Sequence, residues 1–359
     1  MSQRLSRIAL CTVVLAAVLW FGVRSCENKD EAAGHSPPSA AAGNSSGPAQ
    51  AASEVFKPAH TAAPSTVPTS SQTGACVAWP IPSDTDSEDE RQRKQAALQT
   101  ESLAFLSHAL GHPDPLVRAA AALIAEAPDR QSLIASARHT RDPALYTLAR
   151  QACSLEPETP ACGELSLTRQ AELEPDNSAV WLAIADEAML QGDEAGAAAA
   201  VVRAERAPRM EQRVHLAAAI LAGVPWPQER AVGRMGVVEA AMRAGLSVGL
   251  PGHAGLVRHC SAEAMVDANR KMACGQVANQ LVRPGASLLD ATVALSIARR
   301  GGWSTERTDA LQTRLQAAQR KAANTQDPTE QRRSCAAAQA LSKHVMEASA
   351  MGELAALEK

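Results

Sequence analysis

The chain has 359 residues, 46% of them hydrophobic but only 3% aromatic, with a formal charge of −3 at pH 7. Alanine fills 75 positions, which favours helices because alanine loses no side-chain entropy on entering one. A β-sandwich or barrel would need many more aromatic and β-branched residues. The slightly negative balance removes the electrostatic case for a nucleic-acid partner.

Ile8 to Val23, IALCTVVLAAVLWFGV, is a sixteen-residue run without a charge, preceded by Arg4 and Arg7 and followed by Arg24, Glu27 and Lys29. As a helix it spans ~24 Å, a little short of the ~30 Å hydrocarbon core. Snorkelling of Arg7 and Arg24, with Trp20 and Phe21 near one interface, covers the shortfall. The run reads as a single-pass transmembrane anchor within residues 1–26. The preceding arginines put the N-terminus in the cytoplasm and the bulk of the chain in the periplasm, on a bacterial inner membrane. A cleaved signal sequence is one alternative, although no A-x-A pattern follows the run closely. A lipoprotein is another, since Cys26 lies just after the run, but Arg24 stands where small residues are required.

Residues 27–85 read as a disordered linker of Ala, Ser, Pro, Gly and Thr, unable to bury enough apolar surface to offset the entropy of ordering. A flexible chain of that length has a root-mean-square span of roughly 40 Å. The rest, 86–359, is expected to form one all-helical domain.

Eight cysteines fit an oxidising compartment: Cys11 lies in the apolar run and the other seven beyond it. With no C-x-x-C and no histidines at zinc-ligand spacing, a metal site is not expected. Cys153 and Cys162 bracket SLEPETPA, a proline-containing loop, and a bridge there contributes roughly 3 kcal/mol by loop entropy. Cys260 and Cys274 would lie ~21 Å apart on one straight helix, so a bridge between them requires a break near Asn269 or a preceding helix end that folds back. The pairing of Cys26, Cys76 and Cys335 stays open; one option is a Cys76–Cys335 bridge clasping the ends of the domain, with Cys26 left over.

From Asp84 the pattern is helix after helix. SDTDSEDERQRKQ is acidic and then basic, as suits a helix dipole, and Gly111 with Pro113 ends that helix. Asp114-Pro115 opens the next, with Asp as N-cap and Pro at the first helical position, and Pro128 is expected to stop it. The device recurs at Asp142-Pro143 and, altered, at Pro175-Asp176. These starts lie 28 and about 33 residues apart, the period of helical-hairpin repeats. Further on, MEQRVHLAAAILAG reads as a helix broken at Pro225-Trp226-Pro227. QERAVGRMGVVEAAMRAG reads as another, with Gly245 as its C-cap. GLSVGLPGHAG is a loop, and three helices follow, starting near Ser287, Ser304 and Thr329.

Residues 173–208, LEPDNSAVWLAIADEAMLQGDEAGAAAAVVRAERAP after Glu172, resemble one tetratricopeptide repeat. Trp181 and Ala185 stand where that family has its early large residue and the small residue four positions later. Gly192-Asp193 make the turn, and Ala197, Val201 and Ala204 let the second helix pack back. Ala188 replaces the family's usual tyrosine, and the closing proline, Pro208, comes one residue early. The resemblance implies stacked antiparallel helical hairpins, an α-solenoid, because a two-helix unit with one apolar face needs neighbours to complete its core.

Chemistry-bearing candidates are few. His108 and His112 are spaced for one helix face, but Gly111 and Pro113 interrupt that helix. His253, His259 and Cys260 would suit a Cys–His nucleophile, against which Cys274 makes a structural bridge the better account of Cys260. Glu101, Glu126, Asp186 and Glu187 are carboxylates without a surrounding signature, and Trp181, Trp226 and Trp303 read as core anchors rather than sugar platforms. Nucleotide, zinc-protease and nucleophile-elbow motifs are absent, so no cofactor is expected. The expected function is non-catalytic: a tethered helical scaffold holding a protein or peptide partner in the cell envelope. The alternative is an envelope enzyme, or enzyme accessory, in peptidoglycan or protein processing.

Overall fold

The computed structural model describes residues 82, 85–227, 230–249, 253–325 and 335–358, all within a compact unit spanning Ser70–Lys359. The anchor bounded by Ile8 and Val23, Cys11, Cys26 and Cys76, nearly all of the 27–85 linker, and the side chain of Cys335 lie outside the described residues. Among the described residues the chain is all-helical, and no helix is long and apolar enough to cross a membrane.

Helix α1 (Glu88–Leu110) starts as its charges suggest: Ser87 Oγ accepts from Glu90 N–H at 3.3 Å, and Glu88, Asp89 and Glu90 occupy the first turn. Both Asp-Pro starts form. Leu116 N–H donates to Asp114 Oδ1 at 2.8 Å to open α2 (Pro115–Ile124). Ala144 N–H donates to Asp142 Oδ1 at 2.8 Å to open α4 (Pro143–Leu155). Pro128 does not stop α2; it lies in the first turn of a separate α3 (Ala127–Ala137), where its missing N–H costs nothing.

After α5 (Leu167–Leu173), α6 (Ser178–Gln191) and α7 (Glu194–Arg206), the helix expected from Met210 begins only at Leu216, as α8 (Leu216–Ala222). The preceding segment is drawn straight by pairing with the start of α6, through Ser178 N–H to Arg209 O at 2.8 Å and Arg209 N–H to Asp176 O at 3.1 Å. Helix α9 (Ala231–Gly249) runs through Gly245 rather than ending there, because Gly245 packs directly on the backbone of Val214. Helices α10 (Ala254–His259), α11 (Ala268–Gln280), α12 (Leu288–Gly301) and α13 (Thr305–Thr325) follow. The expected last helix is two, α14 (Cys335–Met351) and α15 (Glu353–Glu358), separated by Gly352 at φ 88°.

Packing joins chain neighbours in places and helices distant in sequence in others. Helix α6 packs on α7 and on α10, α7 on α11, α11 on α12, and α12 on α13. Leu182, Ala185, Val277 and Ile297 are among the side chains filling that core. Helices α8 and α9 instead pack against the N-terminal helices α1, α2 and α4, and α14 joins them. Their core is centred on Phe105, Tyr146, Leu148, Leu221 and Val238, each contributing ~1.5–3 kcal/mol by burial. Small residues make this closure possible: a side chain at Gly233 would lie 2.5 Å from Glu101 O on α1. A third cluster joins Leu311 and Leu315 of α13 to Leu354 and Leu357 of α15.

Candidate functional site

A cleft of about 450 Å³ opens between α4, α5, α6 and the connecting segment 211–214. One face of α4 supplies Thr147, Arg150, Gln151 and Ser154, and one face of α6 supplies Val180, Ala183, Glu187 and Leu190. Both sets have the spacing of three and four residues that shares a helix face. Leu190 is half exposed at its mouth.

The floor is a buried polar network. Glu174 is 2% exposed, and both its carboxylate oxygens are occupied. Oε1 accepts from Gln170 Nε2 at 3.0 Å, while Oε2 accepts from Asn177 Nδ2 at 3.0 Å and meets Arg213 Nη2 at 3.0 Å. Asn177 uses its whole amide: Oδ1 accepts from the N–H groups of Ala179 and Glu211 at 3.2 and 3.0 Å, and Nδ2 also donates to Glu211 O at 3.1 Å. It thereby caps α6 and fixes the 211–214 segment. Gln170 Nε2 also donates to Thr147 Oγ1 at 3.1 Å, and Gln151 Nε2 donates to Arg213 O at 3.0 Å.

Two buried atoms in this wall have no hydrogen-bond partner among the described residues, Gln151 Oε1 and Arg213 Nη1. Gln151 is 7% exposed and the Arg213 side chain 12%. An unmet buried group of this kind costs ~1–3 kcal/mol, and here a free acceptor and a free donor occur on residues already in contact.

Of the carboxylates singled out from sequence, Asp186 and Glu187 reach the cleft and Glu101 and Glu126 do not. Asp186 is nevertheless committed elsewhere, its Oδ1 accepting from Leu256 N–H at 3.0 Å; burial raises its carboxyl pKa above the usual value. Glu101 pairs with Arg230 Nε at 2.7 Å. His253 is not beside a thiol: its Nε2 contacts Asp290 Oδ1 at 2.7 Å, and Cys260 is bonded to Cys274. His259 is pushed to a lower pKa mainly by burial. His112 Nδ1 accepts from Asp114 N–H at 3.1 Å, and His108 lies against the Trp226 ring. Among the described residues no group of three His, Cys, Asp or Glu is placed to hold a metal.

Both bridges form: Cys153–Cys162 with Cα atoms 5.5 Å apart and Cys260–Cys274 with Cα atoms 5.7 Å apart. The second forms because α10 ends at His259 and the chain folds back through a short 3₁₀ turn, Ala264–Val266, before α11. Asn269 is inside the first turn of α11, so no break occurs there.

The segment with repeat-like spacing is a helical hairpin. Gly192 takes φ 79° as the C-cap of α6, Asp193 Oδ1 accepts from Gly196 N–H at 2.8 Å to cap α7, and Ala185, Ala197 and Ala204 are fully buried, with Val201 at 5%. Trp181 is only partly buried, its Nε1 donating to Pro175 O at 2.8 Å, and Arg203 stacks on its ring. Arg230 covers Trp226 and Arg307 covers Trp303 in the same way, so each of the three indoles has a face occupied by a guanidinium.

No family model, no curated protein and no solved structure matches this chain.

Gln170, Glu174, Asn177 and Arg213 were not singled out from the sequence. They lie at helix ends and in irregular segments without periodicity. The one local signal is Asn177, an N-cap residue type two positions after Pro175.

Proposed function

We propose that this chain is a membrane-tethered periplasmic helical-repeat protein that holds a protein or peptide partner and does no catalysis itself, the cleft on α4 and α6 being the site where an extended peptide sits. The cleft itself carries this reading: one face of α4 and one face of α6 wall an opening of about 450 Å³ with a polar floor and the half-exposed Leu190 beside it, the mixed polar and apolar lining that a peptide ligand requires. The exposed Leu190 and the apolar Val180 supply the neighbouring contact that side chains of such a ligand require.

The tether and compartment rest on the uncharged run from Ile8 to Val23 and on two bridges of the kind that persist in oxidising surroundings. The solenoid reading of the repeats rests on the hairpin α6–α7 and on the consecutive packing of α11, α12 and α13, which meets that hairpin at α7.

A photo-crosslinking residue placed at Leu190 in intact cells tests the proposal against the same residue placed at Val266, which is 86% exposed on the 3₁₀ turn. A discrete adduct is expected at Leu190 and not at Val266, and Ala183→Trp, which fills the cleft, should remove it. Equal labelling at both positions, or an adduct indifferent to Ala183→Trp, contradicts the proposal.

A further inference from the structure

Arg150, one residue before Gln151 on α4, lines the same cleft. Its one hydrogen bond to another described residue runs from Nη1 to Gln170 Oε1 at 2.7 Å, and it forms no ion pair among the described residues. The contrast with Arg213 is direct, since that guanidinium has Glu174 at 3.0 Å and Glu211 at 3.4 Å. Burial pulls Arg150 below the usual guanidinium pKa, with Tyr146 and Glu187 opposing at longer range, yet an arginine stays charged in a protein. Glu187 acts on it only at longer range, without a direct ion pair, and its Oε1 accepts from Gln191 Nε2 at 3.3 Å.

The fork is also held in place. Gln170 grips one nitrogen of Arg150 while its own amide is tied to Thr147 and Glu174. The remaining N–H groups of Arg150 are therefore oriented before any ligand arrives, which lowers the entropic cost of binding. A planar fork of this kind matches a carboxylate with two parallel charge-assisted hydrogen bonds.

The geometry points to a carboxylate subsite: Arg150 receives a carboxylate of the peptide seated in this cleft. This rests on the peptide-binding reading above and adds the ligand's charge. The carboxylate comes either from an acidic side chain or from a free C-terminus.

Fluorescence anisotropy on the full chain distinguishes these with three labelled octapeptides: alternating Ala/Glu with an amidated end, alternating Ala/Gln with an amidated end, and Ala/Gln with a free carboxylate. At least one carboxylate probe should bind about tenfold or more tighter than the Ala/Gln amide. Preference for the Ala/Glu amide assigns an acidic side chain, and preference for the free acid assigns a C-terminus. Arg150→Gln should abolish the advantage, bringing the carboxylate probes to the level of the Ala/Gln amide on the same variant, while Arg150→Lys should keep part of it. Equal binding of all three, or an advantage that survives Arg150→Gln, overturns the carboxylate subsite and leaves peptide binding standing. No binding by any probe overturns both. Should Arg150→Gln not fold, the wild-type chain still decides: the advantage must shrink as ionic strength rises from about 0.05 to 0.5 M, and a salt-independent advantage overturns the subsite.

Discussion

Gly352 lies backbone to backbone against Gly285: a side chain at Gly352 would come within 2.5 Å of Gly285 C, and Gly285 N–H donates to Met351 O at 2.8 Å. Both residues have positive φ, 98° at Gly285 and 88° at Gly352. This contact seats the junction of α14 and α15 on the turn before α12.

Gly352→Ala should therefore destabilise by about 2–4 kcal/mol, combining a left-handed backbone with an overlap that has no room to relax. Gly192→Ala is the control, since Gly192 has φ 79° but nothing within 4 Å of the added methyl; it should cost only ~1 kcal/mol. Urea unfolding of the two variants checks the difference, and equal losses would show that the Gly285–Gly352 contact contributes nothing.

The sequence announced this part of the fold unevenly. The Asp-Pro starts at Asp114 and Asp142 were legible because cap chemistry is local: one carboxylate and the next few N–H groups. The break at Gly352 was not, because MGELAALE continues a helical pattern and only the distant Gly285 requires the turn. Likewise, Gly245 has the residue type of a C-cap, but its role is set by Val214, which a single segment of sequence cannot disclose. The cleft was hidden for the same reason. Glu174, Asn177 and Arg213 acquire meaning only when α4, α5 and the 211–214 segment converge.

Glu174 should be the most consequential polar residue of that network. Glu174→Gln leaves the Arg213 guanidinium, 12% exposed, without its buried carboxylate, and removal of one partner from such a pair costs about 3–5 kcal/mol. Adding Arg213→Gln to Glu174→Gln should return part of the loss. Guanidinium unfolding of the two single variants and the double variant measures the coupling. Strictly additive losses would contradict the pairing.

The two disulfides should respond differently to reductant. Cys260 and Cys274 are both fully buried, whereas Cys153 and Cys162 are only partly so. Intact folded protein should take no thiol label at any of the four. Graded dithiothreitol should open Cys153–Cys162 first, and each bridge lost should lower stability by about 2–4 kcal/mol. Mass spectrometry after alkylation reads the order, and early labelling of Cys260 or Cys274 would contradict the burial argument.

Asp186 should make stability depend on pH. Burial raises its folded-state pKa above 3.8, while the backbone N–H groups of Leu256 and Gly255, and the nearby His253 and Arg258, oppose that rise. The folded chain thus holds this proton more tightly than the unfolded chain. Its contribution is fully present below pH ~3.8 and is lost as pH rises through the folded value. Asp186→Asn keeps an acceptor for Leu256 N–H and removes the charge, so it should be more stable than wild type at pH 7, the gain fading on acidification. Thermal unfolding at a series of pH values checks the sign, and a gain that grows toward low pH would refute it.

The most direct test of the cleft as a peptide site is amide hydrogen–deuterium exchange of the full chain with and without the Ala/Glu octapeptide. Slowed exchange is expected in the walls of the cleft alone, residues 147–154, 167–190 and 211–214. Protection elsewhere, for example around the exposed Val266 and Met272, or no change at saturating peptide, would contradict it.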